Sequence, residues 1–203
     1  MAECLFIGVL ITFVYRYAYH GQRLFCRGAR EKDGTRVPTT GRSITERADN
    51  GRYVGLAPVR DGNPVPIRVA QVMGKMLGGG VESVVMNYYR HIDRSEVQFD
   101  FLVDADSTRV PEEEIKTLGG RVFRIPPYQH PLRYRKALVR LFHEEHWPIV
   151  HSHINTLSVF PLSAAKKAGV PVRIAHSHST MGKGELAKNL MKLALRPLSN
   201  LYP

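Results

Sequence analysis

The residues of this chain best suited to chemistry are four histidines in two His-x-His segments. Residues 151–153 and residues 176–178 both read HSH, and each segment closes a run that is typical of a strand. Because residues i and i+2 of a strand project to the same face, two neighbouring strands would bring the four imidazoles together. Imidazole can bind a metal ion, exchange a proton, or hydrogen-bond into a strand-end turn.

A metal hydrolase built on these imidazoles is one alternative. Such a site usually adds carboxylate or Asp–His partners, whereas the polar residues that follow the two segments are Asn155 and Ser179-Thr180. Residues 143–146 (HEEH) also lack the H-E-x-x-H order of a zinc protease. The sequence therefore predicts no metal site and no cofactor. At least two of the histidines are expected to be structural, with His151 among them.

A glycine loop, residues 78–83 (GGGVES), lies between a predicted strand and a predicted helix. Backbone N–H groups at a helix N-terminus attract anions, and glycine allows a phosphate to approach closely. The loop has neither the G-x-G-x-x-G spacing of dinucleotide sites nor the Gly-Lys-Ser/Thr of a Walker loop. By itself, the loop is equally consistent with a phosphate-binding site and with a turn in which glycine is needed only for the backbone conformation.

Strand-like and helix-like segments alternate from residue 67 to the end of the chain. The strands are predicted at residues 67–73, 98–103, 121–125, 149–151 and 172–176. The helices are predicted around an apolar stripe at positions 81, 84, 85, 88 and 92, over residues 111–118, 131–146 and 157–168, and around residues 186–193. This alternation predicts an α/β, Rossmann-like fold, a parallel sheet flanked by helices, with ligands beyond the carboxyl ends of the strands.

The first 64 residues differ from the rest. Residues 4–15 are almost continuously apolar, but such a run falls short of the roughly 20 residues that cross a bilayer. It is either a membrane anchor or a non-native leader. Residues 20–64 are rich in Gly, Arg, Thr, Asp, Asn and Pro and are expected to form a disordered linker. The predicted organisation is an extension over residues 1–64 and one domain over residues 65–203.

The amino-acid composition limits the classes of binding partner and the cellular compartment that we expect for this protein. The 29 Lys and Arg against 18 Asp and Glu give a net charge of +11, spread along the chain. No nucleic-acid-binding signature accompanies this charge, which favours phosphate-bearing partners, an anionic membrane surface or simple solubility. The two cysteines, Cys4 and Cys26, form no disulfide framework. A cytoplasmic protein is expected, with peripheral association at the inner face of the membrane as a variant.

Residues 66 to about 200 resemble the N-terminal domain of family 4 glycosyltransferases of the bacterial capsular and exopolysaccharide type. The resemblance lies in the order and spacing of IRVAQVM, GGGVESVVMNYYRHID, VQFDFLVD, LGGRVFRIP and IVHSHINTLSVFPLSAAKKAGVPVRIAHSHST. It implies a retaining enzyme of the GT-B fold, in which two Rossmann-like domains face each other across a cleft. This chain would be the first, acceptor-side domain, and it would stop before the donor-binding domain.

The resemblance also implies site residues. Gly79 and Gly80 fall on the loop that approaches the donor diphosphate, and Glu82 matches the same loop as a substrate-binding residue. His153 falls on the acceptor side, and His178 on the catalytic histidine close to the reacting sugar. The implied reaction transfers a sugar from a nucleotide-sugar donor to a glycan or lipid-linked acceptor in cell-surface polysaccharide synthesis. A non-catalytic sugar- or phosphate-binding module is the alternative from another class.

Overall fold

The computed structural model describes Tyr15, residues 59–60, residues 63–178, and Tyr202 with Pro203. The expected linker over residues 20–64 lies almost wholly outside the described residues, and so does the helix predicted around residues 186–193. The apolar run at residues 4–15 is described only at Tyr15. In the described part of the chain, no helix is long and apolar enough to cross a membrane.

Five parallel strands form the sheet, as the sequence predicts. They are β1 (Ile67–Gly74), β2 (Val97–Asp104), β3 (Arg121–Ile125), β4 (Ile149–Ser152) and β5 (Val172–Ala175). Their spatial order is β3-β2-β1-β4-β5. The chain runs outward from β1 to β3 and then crosses to the other side of β1, so the strand order reverses between β1 and β4. An antiparallel pair of two-residue strands, Val59–Arg60 and Asn63–Pro64, precedes the sheet.

Helices cover both faces of the sheet. They are α1 (Gly80–His91), α2 (Glu112–Thr117), α3 (Pro131–Glu145) and α4 (Val159–Lys167), with a 3₁₀ turn at Asn155–Ser158 before α4. One core lies between the sheet and α1, and the other between the sheet and the pair α3 and α4. Because β1 is covered on both faces, seven of its eight residues are buried, and it reads as a near-continuous apolar run.

The predicted apolar stripe of α1 is partly wrong. Val84, placed on the buried face by the pattern, is 39% exposed, and the buried residues of the helix are Val85, Met86 and Tyr89. The Tyr89 ring stacks on Phe99 of β2, with ring centroids 5.2 Å apart. This aromatic contact with a distant segment sets the rotation of the helix, and the spacing of apolar residues within α1 does not reveal it.

A buried carboxylate joins β1, β2 and β3. Asp100 accepts hydrogen bonds from Arg68 Nε at 2.8 Å, from Arg121 Nη2 at 2.7 Å and from Trp147 Nε1 at 2.7 Å. Burial by itself raises the pKa of Asp100, but the bonds from these three partners outweigh it and hold the pKa below its usual value. We call these four residues the Asp100 cluster. It lies where β3 begins, since Asp100 pairs in register with Arg121.

Candidate functional site

The structure brings the four histidines together, and we call His151, His153, His176 and His178 the imidazole cluster. Strands β4 and β5 are neighbours in parallel register, so their carboxyl ends meet at one edge. The ring centroids of His151 and His153 lie 4.1 Å apart, and those of His176 and His178 lie 4.0 Å apart. A centroid distance of 5.1 Å joins His153 to His178. The cluster is therefore a single group of closely packed rings.

A chain of hydrogen bonds runs through this cluster and reaches below it. His178 Nε2 lies 2.9 Å from His153 Nδ1, and His153 Nε2 lies 2.7 Å from Gln71 Oε1. The Gln71 amide nitrogen donates to Tyr15 Oη at 3.0 Å, and Tyr15 Oη lies 2.6 Å from His151 Nδ1. Gln71 and Tyr15 were not found by sequence reasoning, because each lies inside an apolar run far from the histidines.

Burial keeps three of the four imidazoles, those of His151, His153 and His178, uncharged. It lowers the pKa of His151 to about 3, and repulsion from His176 and His178 adds to this effect. Burial, followed by the neighbouring imidazoles, also holds the pKa of His153 well below its usual value. The pKa of His178 is lowered by burial and by His176. Near neutral pH these three rings are neutral, so each carries one donor and one acceptor nitrogen.

Asn155 holds the backbone of the catalytic candidate. Its side-chain oxygen accepts a hydrogen bond from the backbone N–H of His178 at 2.7 Å. Asn155 has a φ of 52°, in the left-handed region that asparagine tolerates better than most residues. It begins the 3₁₀ turn after β4. The sequence showed Asn155 only as a polar neighbour of the His-x-His segment, and its contact with His178 follows from the pairing of β4 and β5.

The glycine loop uses its three glycines differently. Gly78 has a φ of +87°, which favours glycine, and its Cα is packed against the side chain of Arg109. Gly79 precedes α1 with an extended φ of −89°, and Gly80 is the first residue of the helix. A Cβ built on Gly80 would meet no atom within 4 Å. The fold itself therefore requires glycine at position 78 but not at position 80.

The side chain of Glu82 forms hydrogen bonds with the backbone of the glycine loop and of the residue before it. Its carboxylate accepts a hydrogen bond from the backbone N–H of Leu77 at 2.8 Å and another from the backbone N–H of Gly79. Both oxygens are thus engaged by the loop in this conformation. These bonds give Glu82 a role in shaping the loop, and its expected contact with substrate stays a prediction.

The glycine loop and the imidazole cluster follow strands that end at the same edge of the sheet, because β1 and β4 are adjacent and parallel. The backbone N–H of His153 donates to the Val72 carbonyl at 2.9 Å. A Cβ built on Gly74 would lie 2.8 Å from Cγ2 of Ile154, the residue after His153. The end of β1 and the segment after β4 are therefore packed together at the carboxyl edge where the strand order reverses, which is the ligand site of such sheets.

Three of the histidines could hold a metal ion. One ring nitrogen each of His151, His153 and His176 lies within 4.8 Å of the others. Metal binding would need a free lone pair on each ring, and both ring nitrogens of His153 already form hydrogen bonds. An ion at this site would therefore have to displace Gln71 or His178. The expectation of no metal stays a prediction.

The fold and its edge site define a class of protein. Residues 79–201 match the family described as "Glycosyl transferase 4-like domain". The match covers more than half of the chain, including the glycine loop and the imidazole cluster. The chain belongs to this glycosyl transferase 4-like family.

Two individual proteins are similar to the chain. It is 43% identical over 120 residues to "Putative glycosyltransferase EpsF" of Bacillus subtilis (strain 168), a match that covers 57% of this chain and 31% of that protein. The chain thus spans about a third of the length of this relative. The crystal structure of Acinetobacter baumannii MurG is similar over 61% of this chain and 39% of that chain, with 13% identity and a TM-score of 0.43.

Proposed function

We propose that this chain provides the acceptor-side domain of a retaining, nucleotide-sugar-dependent glycosyltransferase of the GT-B type. The donor would be a nucleoside diphosphate hexose, and the acceptor a glycan or lipid-linked glycan in cell-surface polysaccharide synthesis. Family membership supports the transferase, and the name of the EpsF relative suggests the polysaccharide. The donor-binding domain would lie on a further segment, in keeping with the fraction of EpsF that this chain matches.

The observation that carries this proposal is the open position at Gly80. The backbone there needs no glycine, yet a side chain would occupy empty space beside the first turn of α1. The first N–H groups of any helix have no helical carbonyl to bind and attract an anion. A glycine at this position leaves room for a donor diphosphate to approach the helix end closely.

The imidazole cluster supplies the second part of the proposed mechanism. Glycosyl transfer develops positive charge on the sugar and negative charge on the leaving diphosphate. The donor domain and the end of α1 would stabilise the diphosphate. His178, neutral and at the edge of the cluster, would contact the reacting sugar, and His153 would lie on the acceptor side. This scheme routes no step through a metal or cofactor.

The proposed place of action is the cytoplasmic face of a membrane. The net charge of +11 would favour peripheral contact with anionic lipid, where a lipid-linked acceptor is found. Binding to vesicles with and without anionic lipid would measure this contact. Binding that is equal on neutral and anionic vesicles would contradict the electrostatic part of the proposal.

A chimera with EpsF tests the proposed function. Residues 66–203 would replace the matching segment of EpsF, and release of nucleoside diphosphate would be measured with a panel of UDP- and GDP-sugars and membrane lipid extract. We expect turnover by the chimera, with retention of the anomeric configuration, and none by the 203-residue chain alone. A chimera that folds but releases no nucleoside diphosphate, beside an active EpsF control, would contradict the proposal. Activity that a chelator removes would instead support the metal hydrolase.

A further inference from the structure

The direction of the hydrogen bonds below the cluster can be read from the chemistry of Gln71. A side-chain amide oxygen carries lone pairs and no proton, so it only accepts. The 2.7 Å contact between Gln71 Oε1 and His153 Nε2 therefore places a proton on Nε2 of His153. Since His153 is neutral when its ring is this strongly buried, its other nitrogen, Nδ1, must carry the lone pair.

The tautomer of His153 in turn determines the tautomer of His178. Nδ1 of His153, now an acceptor, lies 2.9 Å from Nε2 of His178, so His178 must donate from Nε2. In neutral His178 the lone pair then resides on Nδ1. One buried amide thus determines which nitrogen of a residue two hydrogen bonds away can accept a proton.

Gln71 is held firmly enough to impose this choice. Its side chain is 1% exposed, on the central strand β1, and it pairs in register with His151 of β4. The amide nitrogen is fixed by donation to Tyr15 Oη, so the oxygen remains directed at His153. Turning the amide around would reverse the direction of every hydrogen bond from His151 through Tyr15, Gln71 and His153 to His178.

We propose that Gln71 is a positioning residue that holds His178 in the Nε2–H tautomer through His153. The proposal deepens the proposed function, on which its relevance to sugar transfer rests. His178 would then offer Nδ1 as a hydrogen-bond acceptor, suited to the hydroxyl group of a sugar and unsuited to a phosphate oxygen. A donor sugar or an acceptor sugar meets this requirement equally.

The test is the tautomeric state of the imidazoles in the 203-residue chain. Long-range ¹H–¹⁵N spectra distinguish a protonated ring nitrogen from one with a lone pair. At a slightly alkaline pH we expect a proton on Nε2 and a lone pair on Nδ1 for both His153 and His178. A wild-type spectrum that shows His153 with its proton on Nδ1 would overturn the proposal without any variant.

Three substitutions separate positioning from simple burial. Gln71→Met removes both hydrogen bonds and should leave His178 as a mixture of tautomers. Gln71→Glu still accepts from Nε2 of His153 and should restore the wild-type pattern. Gln98→Met is the matched control, because Gln98 is also a buried glutamine of the sheet, yet it bonds to Tyr89 and Leu118 instead. Unchanged His178 tautomers in folded Gln71→Met, or altered tautomers in Gln98→Met, would overturn the proposal.

Enzyme kinetics of the chimera provide a measurement that would not change if Gln71 were only a structural residue. There, Gln71→Met should lower kcat by about 10-fold, with KM for the donor nearly constant, and Gln71→Glu should recover most of the loss. The NMR spectra do not depend on enzyme activity, so they test the effect of Gln71 on the tautomers even if the chimera is inactive. In that case the proposed function fails, while the tautomer assignment stands or falls on its own.

Discussion

The Asp100 cluster and the imidazole cluster are both polar groups buried against one parallel sheet, but they use their hydrogen bonds differently. The fully buried Asp100 carboxylate is charged, and Arg68, Arg121 and Trp147 engage both of its oxygens. In the imidazole cluster, by contrast, His151, His153 and His178 are neutral. Among the described residues, Nε2 of His151 is buried without a hydrogen-bond partner, and the His178 ring remains partly open.

The two clusters also differ in their position in the sheet. The Asp100 cluster lies where β3 begins, whereas the imidazole cluster lies where β4 and β5 end. A saturated, charged cluster has no capacity left for a ligand and serves to join strands. A neutral cluster with spare nitrogens at the carboxyl edge can receive one. The comparison therefore assigns stability to the first cluster and chemistry to the second, and each experiment below tests that division.

The largest expected effect is on stability, at Asp100. In Asp100→Asn, Arg68 loses its ion-pair partner and Arg121 keeps only Glu145, so the free energy of unfolding should fall by about 3 kcal/mol. This value is at the low end for a buried pair because Arg68 and Arg121 are partly exposed. Urea unfolding followed by fluorescence of Trp147, the single tryptophan, would measure it.

The control for Asp100 is an exposed ion pair on the same strand's loop. Asp106 pairs with Lys75 at 2.6 Å, and both side chains are more than 40% exposed. Asp106→Asn should therefore change the free energy of unfolding by less than about 1 kcal/mol. Equal losses in the two variants would break the distinction between a saturated buried cluster and a surface pair.

The next effect is a dependence of stability on pH. His151 and His153 have lowered pKa values in the folded protein, so below pH ~6.5 the unfolded chain binds more protons and stability falls. Each can contribute up to ~1.4 kcal/mol per pH unit. Asp104 has the opposite effect on the pH dependence of stability. Burial and the charge of Asp106 raise its pKa to about 6, and the weaker effect of Lys75 opposes them. It adds stability as pH falls from about 6 towards 4.

Urea unfolding between pH 6.5 and 4.5 would show this balance, since the lowered pKa of Asp100 matters only at more acidic pH. Stability should fall with pH, Asp104→Asn should steepen the fall, and His151→Leu should flatten it. A wild-type stability that stays constant over this window, and stays so in Asp104→Asn, would mean that the imidazole cluster is not held neutral by burial.

A pair of glycine substitutions compares a strained position with an open one. Gly74 has a φ of +69°, and its Cβ would meet Ile154, so Gly74→Ala should cost about 1–3 kcal/mol. Gly80→Ala should stay within about 1 kcal/mol of wild type, because neither φ nor space opposes it. In the EpsF chimera, Gly80→Ala should nevertheless weaken donor binding. Unchanged donor affinity would remove the support that Gly80 gives to the diphosphate site.

The sequence predicted the sheet well because its strands are short and a glycine or proline directly precedes four of the five. All five strands and their parallel arrangement agree with the structure, and so does the meeting of the two His-x-His segments. The rotation of α1 was wrong at Val84, since the contact of Tyr89 with Phe99 depends on the pairing of distant segments.

The supporting residues of the site could not be predicted for a related reason. Gln71 lies inside the apolar run IRVAQVM, and only the register of β1 with β4 places it beside His151. Tyr15 lies 56 residues before Gln71, in a segment that the sequence assigned to a leader. Asn155 needs both its positive φ and the position of β5 to reach His178. The roles of Gly79, Gly80, Glu82, His153 and His178 stay predictions.

The central claim is that the imidazole cluster divides between a residue that acts on the sugar and residues that support it. His178→Ala and His151→Ala, measured side by side in the EpsF chimera, test it most directly. His178→Ala should lower kcat by ~10²-fold, with nearly unchanged donor affinity and melting temperature. His151→Ala should instead lower the free energy of unfolding by about 1–3 kcal/mol, because buried Tyr15 Oη loses its contact with His151 and keeps only the bond from Gln71. Near-normal turnover in His178→Ala would contradict the assignment of the site.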